Sequence, residues 1–179
     1  ELKESTISIS GIGKVGSKLS KLLFEKNVNL IISNIGRDAI DKLKQDKVSF
    51  TESDIDTIFE KECDIISPCA LGGAINSEVK KKLKCKAIVG AANNQLDKPE
   101  TAVWLKKNNI FYAPDYLVNS GGVIAISCEI NNSEDILNDQ LNKIGDKVLS
   151  LLKESQKSNL STDKIAEDLA WRRINNPVI

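Results

Sequence analysis

Residues Ile7–Gly16 read ISISGIGKVG, and this stretch decides the fold. Its first half alternates apolar and polar side chains, which predicts a short strand that ends at Gly11. From Val15 onward the apolar residues recur at helical spacing, which predicts a helix over Lys14–Lys26. A glycine-rich turn of the form GxGxxG therefore lies between a strand and a helix.

The position of this turn favours a dinucleotide site. Gly11 permits the tight turn, Gly13 lets the backbone approach a pyrophosphate, and Gly16 allows the helix to pack closely on the strand. The N–H groups at the start of the helix, together with its positive end, then face the phosphates. The alternative is a generic strand–helix turn, because GxGxxG alone is a weak signal. We expect five residues of the turn to contact a cofactor: Gly11, Gly13, Lys14, Val15 and Gly16.

Strands and helices alternate along the chain up to residue 115. Further strands are expected at Val28–Ile32, Lys47–Phe50, Cys63–Ser67, Ala87–Val89 and Ile110–Ala113. Helices are expected around Ala39–Leu43 and at Ser53–Glu60, Asn76–Leu83 with Asn76 as its N-cap, and Pro99–Lys107. Such alternation predicts an α/β fold, a doubly wound parallel sheet of the Rossmann type with helices on both faces.

The rest of the chain is helical. Ile136–Lys157 carries an amphipathic apolar face, and Ser161-Thr162-Asp163 caps a last helix that runs to Ile174. We expect Trp171 to be partly exposed. The expected organisation is a dinucleotide-binding domain over 1–134 and a C-terminal helical extension of the same domain over 135–179.

Composition excludes several classes of function. Lys plus Arg and Asp plus Glu both number 25, so no broad attraction to nucleic acid or to membranes is expected. The absence of histidine excludes Ser–His and Cys–His catalysis and histidine-based zinc sites within this sequence. The four cysteines include no CxxC pair, which predicts free thiols in the cytoplasm and no metal site.

The chain of 179 residues contains no methionine, even at position 1. We expect it to be part of a longer protein. The alternative is a processed form of a naturally short one.

The end of the second predicted strand bears on the choice of cofactor. The residue that reads the adenosine ribose is expected there, about twenty residues after the glycine turn. Asn34 holds that place, with Ile35 and Arg37 beside it. Asn34 hydrogen-bonds but does not repel a 2′-phosphate, and Arg37 is near enough in sequence to meet one. NADP is therefore compatible with this segment, although NAD stays the expected cofactor. The alternative for Arg37 is that it is a solvated turn residue without a contact to the cofactor.

Three later segments resemble the strand-exit loops of the leucine, valine and phenylalanine dehydrogenases. They are CDIISPCALGG at Cys63–Gly73, GAANNQL at Gly90–Leu96 and YAPDYLVNSGGV at Tyr112–Val123. Their order and spacing also match, over Ser5 to Ile174. Glutamate dehydrogenases share the fold, but these strings are more similar to the branched-chain and aromatic group, and most to leucine dehydrogenase.

The resemblance implies roles for individual residues. Cofactor contacts would come from Cys69, from Ala70 and Leu71 beside the adenosine ribose, and from Ala92 and Asn94 near the nicotinamide ribose. Asn119 would lie beside nicotinamide and substrate, and Val123 and Ile126 would favour a branched-chain side chain. The alternative is that the asparagines cap helices and that Val123 and Ile126 face the core of their helix. Lys14, Asn34 and Asn93 depart from residues that are usual in the family.

The family reaction is the oxidative deamination of an L-amino acid to a 2-oxo acid. In this family the lysines that act on the substrate belong to an N-terminal domain, so no catalytic residue is expected in this chain. The resemblance implies an amino-acid substrate, a partner N-terminal domain and a homo-oligomer. Two alternatives stay open: a stand-alone NAD(P)-binding module, and a relative that has lost its ligand.

Overall fold

The computed structural model describes residues 2–176. Its strands are β1 Thr6–Ser10, β2 Asn29–Ser33, β3 Thr51–Glu52, β4 Ile65–Pro68, β5 Ala87–Ile88 and β6 Phe111–Tyr112. Every pairing is parallel, and the six strands form one sheet in the order β3-β2-β1-β4-β5-β6. The predicted doubly wound parallel sheet is confirmed.

Seven α-helices accompany the sheet over residues 2–176. They are α1 Lys14–Phe24, α2 Arg37–Gln45, α3 Pro99–Lys107, α4 Asp115–Val118, α5 Gly121–Ile130, α6 Leu137–Lys157 and α7 Thr162–Asn175. The predicted cap of the last helix is confirmed, since Ser161 Oγ accepts a hydrogen bond from Lys164 N at 3.4 Å. Trp171 is exposed, as expected. In this part of the chain, no helix combines the length and the apolar character that crossing a bilayer requires.

The strand order reverses direction between β1 and β4. These strands pair side by side, with Ile7 opposite Ile65, although β2 and β3 lie between them in sequence. The connections from β1 and from β4 then run toward opposite edges of the sheet. In open sheets of this kind, ligands bind outside the carboxyl ends of the strands at the point of reversal.

The apolar core forms one cluster on each half of the sheet. The first joins β1 and β2 to α1 and α2 and includes Ile9 and Ile32, both fully buried. The second joins β4, β5 and β6 to α3 and includes Ile88 and Leu105. The two clusters lie on either side of the reversal point.

Four helices are followed by a residue in the left-handed conformation, and after three of them a strand begins beyond that residue. Positive φ values occur at Asn27, Lys47, Asn109 and Asn132, the last residues before the chain turns away. After α2, Lys47 N donates to Lys44 O and Val48 N donates to Leu43 O, a Schellman pattern. Because Lys47 and Val48 complete this helix end, the predicted strand Lys47–Phe50 is wrong and β3 begins at Thr51.

Two predicted helices are wrong as well, since each is reduced to a single 3₁₀ turn, at Ile58–Glu60 and at Val79–Lys82. Asn76 Oδ1 does accept hydrogen bonds from Glu78 N and Val79 N, at 2.9 and 3.0 Å, but it lies before a 3₁₀ turn whose N-cap is Glu78 and not at the start of the predicted helix. The helix cannot continue because the backbone is already extended at Leu83 as the chain approaches β5.

Candidate functional site

The glycine turn leaves open space beside one glycine only. A Cβ on Gly16 would lie 2.1 Å from Gly11 O, and a Cβ on Gly11, where φ is +97°, would lie 2.6 Å from Ala70 Cβ. Packing within the protein therefore requires both of these glycines. A Cβ on Gly13 would meet nothing within 4 Å. The space beside Gly13 is available to a ligand that approaches the backbone.

The N-terminus of α1 points into this space with its backbone donors unclaimed by side chains. Gly13 is the N-cap, and no side chain within residues 2–176 caps the helix there. The first turn of α1 also carries no acidic residue. Unpaired N–H groups and the positive end of a helix form an anion site, so the turn fits a pyrophosphate.

Asn34 connects the end of β2 to the glycine turn. Its Oδ1 accepts a hydrogen bond from Ile12 N at 2.8 Å, and its Nδ2 donates to Gly36 O at 2.8 Å. An amide makes both contacts, whereas an ionised aspartate could make only the first. Asn34 thus shapes the turn, and its contact with a ribose stays a prediction.

Arg37 does not stand alone at the start of α2. Its guanidinium pairs with the carboxylate of Glu52 at the end of β3, and Lys44 Nζ lies 3.3 Å from the other oxygen of Glu52. Partial desolvation raises the pKa of Glu52, but the hydrogen bond from Lys44 and the charge of Arg37 outweigh it and leave the pKa lowered. Glu52 is therefore ionised at neutral pH. Ile35 is 84% exposed beside this group.

The strand-exit loops meet along one edge of the sheet. Cys69 N donates to Ser10 O at 2.8 Å, which places the loop after β4 against the glycine turn. Gly73 N donates to Asn94 O at 2.7 Å, which joins that loop to the one after β5. Asn119 Nδ2 donates to Asn93 Oδ1 at 2.5 Å. The structure thus brings the predicted loops together in sequence order.

A buried carboxylate missed by the sequence analysis fixes two of these loops. Asp115 is 7% exposed, and its oxygens accept hydrogen bonds from Gln95 N at 3.2 Å and from Tyr116 N at 2.9 Å. Burial, and then the charge of Asp115, raises the pKa of Tyr112, whose hydroxyl oxygen accepts from Asp115 N. Asp115 holds the loop of Asn94 against the helix that precedes Asn119. Its position at the first turn of a helix after a proline was the available signal.

The remaining predicted residues differ in exposure. Leu71 is 76% exposed at the cleft, and Lys14, Val15 and Ala70 are also exposed. Ala92 is buried and its N–H donates to Pro68 O, so neither its side chain nor its N–H faces outward. Val123 and Ile126 are 72% and 58% exposed, so they do not face the core of their helix.

The chain matches a family model. The model described as glutamate/leucine/phenylalanine/valine dehydrogenase matches residues 31–175. The chain is 36% identical over 178 residues to phenylalanine dehydrogenase from Thermoactinomyces intermedius. It is also 36% identical over 175 residues to leucine dehydrogenase from Bacillus subtilis (strain 168). Each alignment covers 97% of this chain and 48% of the relative.

A solved structure agrees in fold and in sequence. L-tryptophan dehydrogenase from Nostoc punctiforme superposes with a TM-score of 0.92 at 32% identity, over 98% of this chain and 54% of that one. The chain therefore spans about half the length of the relatives it matches, as the 48% coverage shows. The matched half contains the glycine turn, the sheet and the strand-exit loops described above. This chain belongs to the glutamate/leucine/phenylalanine/valine dehydrogenase family.

Proposed function

We propose that this chain is the nucleotide-binding part of an NAD-dependent dehydrogenase that oxidatively deaminates a branched-chain L-amino acid. The observation that carries the proposal is the open space at Gly13, which faces the uncapped N-terminus of α1 at the reversal point of the sheet. NAD supplies the hydride acceptor for such a reaction. The protein contributes binding and orientation.

The cleft supports an extended dinucleotide along the carboxyl edge. The N–H groups at the start of α1 hold the pyrophosphate, and the exposed Leu71 borders the adenosine ribose. Asn94, whose carbonyl is anchored to Gly73, extends the cleft toward the nicotinamide ribose. Asn119, whose Nδ2 donates to Asn93 Oδ1 in the same loop, borders the nicotinamide and the substrate.

The substrate side is only partly enclosed by residues 2–176. Val123 and Ile126 are largely exposed on α5, and two branched side chains favour leucine, valine or isoleucine over a ring. One methylene in an apolar pocket changes selectivity by only about 1–3 kcal/mol. A pocket that selects by side-chain volume must therefore enclose the side chain. We infer that a further domain of the full-length enzyme closes this pocket and supplies the catalytic lysine. The exposed Trp171 and Ile174 on α7 are proposed contacts to that domain or to another subunit of a homo-oligomer.

Binding of the cofactor and turnover of the substrate can be measured separately on the same sample. The purified 179-residue chain is titrated with NADH and NADPH by calorimetry and then assayed with leucine, valine, isoleucine and phenylalanine. We expect saturable binding of NADH and no turnover of any amino acid. A folded sample that binds neither nucleotide would support the loss of the ligand instead.

Turnover of leucine by this chain alone would place the catalytic group among its own residues and contradict the proposed division of roles. The full-length gene product serves as the positive control. Its failure to oxidise any amino acid while it binds NADH would favour a stand-alone nucleotide-binding module.

A further inference from the structure

Glu52 lies beside the end of β2, although it belongs to the edge strand β3. It pairs in register with Ile32, and Ser53 N donates to Ile32 O at 2.8 Å, which continues the ladder toward Asn34. Its carboxylate reaches Arg37, the first residue of α2. In the sequence no acid stands at the end of the second strand, but the fold brings Glu52 there from the neighbouring strand.

The end of β2 is where a nucleotide-binding fold distinguishes NAD from NADP. An acid there accepts the ribose hydroxyls, whereas an arginine nearby accommodates a 2′-phosphate. Asn34 carries no charge, so it does not repel a phosphate. Arg37 is a cation in the right segment, and a guanidinium matches a phosphate with paired hydrogen bonds. Without Glu52, Asn34 and Arg37 together would favour NADP.

Glu52 shifts the preference from NADP toward NAD in two ways. It occupies the guanidinium of Arg37, and its negative charge lies close to where a 2′-phosphate on Arg37 would be. Lys44 at 3.3 Å helps to keep Glu52 ionised. The other charged residues on α2 are Asp38, Asp41 and Lys42, two acids and one base, and all three are exposed.

We propose that Glu52 is the specificity-determining acid of the cofactor site: it holds Arg37 and excludes the 2′-phosphate, so that the chain prefers NAD. This inference rests on the proposed function. The side chains of Arg37 and Glu52 are 72% and 39% exposed, and exposed ion pairs are weak. The preference is therefore graded, and loss of the charge of Glu52 shifts the NADPH-to-NADH affinity ratio by about two- to fivefold.

The test is a double-mutant cycle on the 179-residue chain, with NADH and NADPH titrated separately by nucleotide fluorescence at low ionic strength. We expect the wild type to bind NADH more tightly. Glu52→Gln raises the affinity for NADPH relative to NADH. Arg37→Ala has little effect on this ratio in the wild type, but it reduces the gain in the Glu52→Gln background. Thermal unfolding of each variant checks that it is folded.

A matched control removes the same charge elsewhere. Glu60 pairs with Lys82 at 2.8 Å, between the two 3₁₀ turns, and Glu60→Gln should leave the affinity ratio unchanged. An unchanged ratio in Glu52→Gln, with NADH still bound, would overturn this inference and leave the proposed function intact. A gain that survives Arg37→Ala undiminished would overturn the role given to Arg37, and with it this inference. Failure of the folded wild type to bind either nucleotide would instead overturn the proposed function.

Discussion

Gly13 and Gly16 belong to one motif, but the space around each differs. Gly16 has no room for a side chain because Gly11 O lies 2.1 Å from where its Cβ would be. Gly13 has room on the protein side, and the close approach of a ligand is the reason proposed for glycine there. The motif predicted both roles because strand, turn and helix are contiguous in sequence. The hydrogen bond of Asn34 to Ile12 and the pairing of Arg37 with Glu52 could not be predicted, since they depend on strand register.

The two glycines can be separated by alanine substitution. Gly16→Ala forces backbone atoms apart, so we expect a loss of about 1–3 kcal/mol in the free energy of unfolding. Gly13→Ala should change that free energy by less than about 0.5 kcal/mol but weaken NADH binding by about tenfold or more. Chemical denaturation and NADH titration of both variants measure the two effects. Wild-type NADH affinity in Gly13→Ala would show that no ligand approaches this backbone.

The helix ends explain why element boundaries were harder to predict than element types. A glycine after the last turn is the usual sign of a helix end, but asparagine takes that place after α1, α3 and α5, and Lys47 takes it after α2. Each residue adopts a positive φ, and an apolar or small residue then closes the helix through a hydrogen bond to its last turn. Without a glycine, the sequence pattern extended the first helix to Lys26 and placed β3 too early.

Lys47 is the most costly of these helix ends. A residue with a Cβ loses about 1–2 kcal/mol in the left-handed region, and asparagine is more tolerant of it than lysine. Lys47 is exposed with φ at +59°. After the larger unfolded-state entropy of glycine is subtracted, Lys47→Gly should stabilise the protein by about 0.5–1 kcal/mol. Urea unfolding should show a smaller gain for Asn27→Gly and none for Lys47→Ala. An equal gain in Lys47→Ala would assign the effect to the lost charge.

At the scale of the whole molecule, the alternation of strands and helices predicted the sheet and the edge where ligands bind. It did not predict the strand order, because β1 pairs with β4 only after two helices and two strands have intervened. The candidate site was likewise predicted only in part. The sequence located the loops that form it, whereas the buried Asp115 and the charge of Glu52 became evident only when the strands were assembled.

Two thiols, one buried and one half-buried, lie at the edge of the sheet opposite the candidate site. Cys63 precedes β4, is 8% exposed and donates its N–H to Lys84 O, next to Cys85. Desolvation raises the pKa of Cys63 to about 11, and desolvation together with the charge of Cys63 raises that of Cys85 to about 12. Both thiols are therefore neutral in the folded protein at pH values where the unfolded chain has begun to ionise.

This difference makes the folded state sensitive to alkali. An unfolded thiol loses its proton near pH 8.5, so the unfolded chain binds fewer protons above that pH and the free energy of unfolding falls as the pH rises toward 11. We expect a loss of about 2–3 kcal/mol from Cys63 over this window, with the burial of Tyr112 adding to it above pH 10. Urea unfolding with reductant at pH 8, 9 and 10 measures the slope. Cys63→Ala should make the slope shallower and leave the part that Cys85 contributes, whereas Val48→Ala, which also truncates a buried side chain, should lower stability equally at each pH. Equal slopes in the wild type and Cys63→Ala would show that Cys63 ionises as readily in the folded protein as in the unfolded chain.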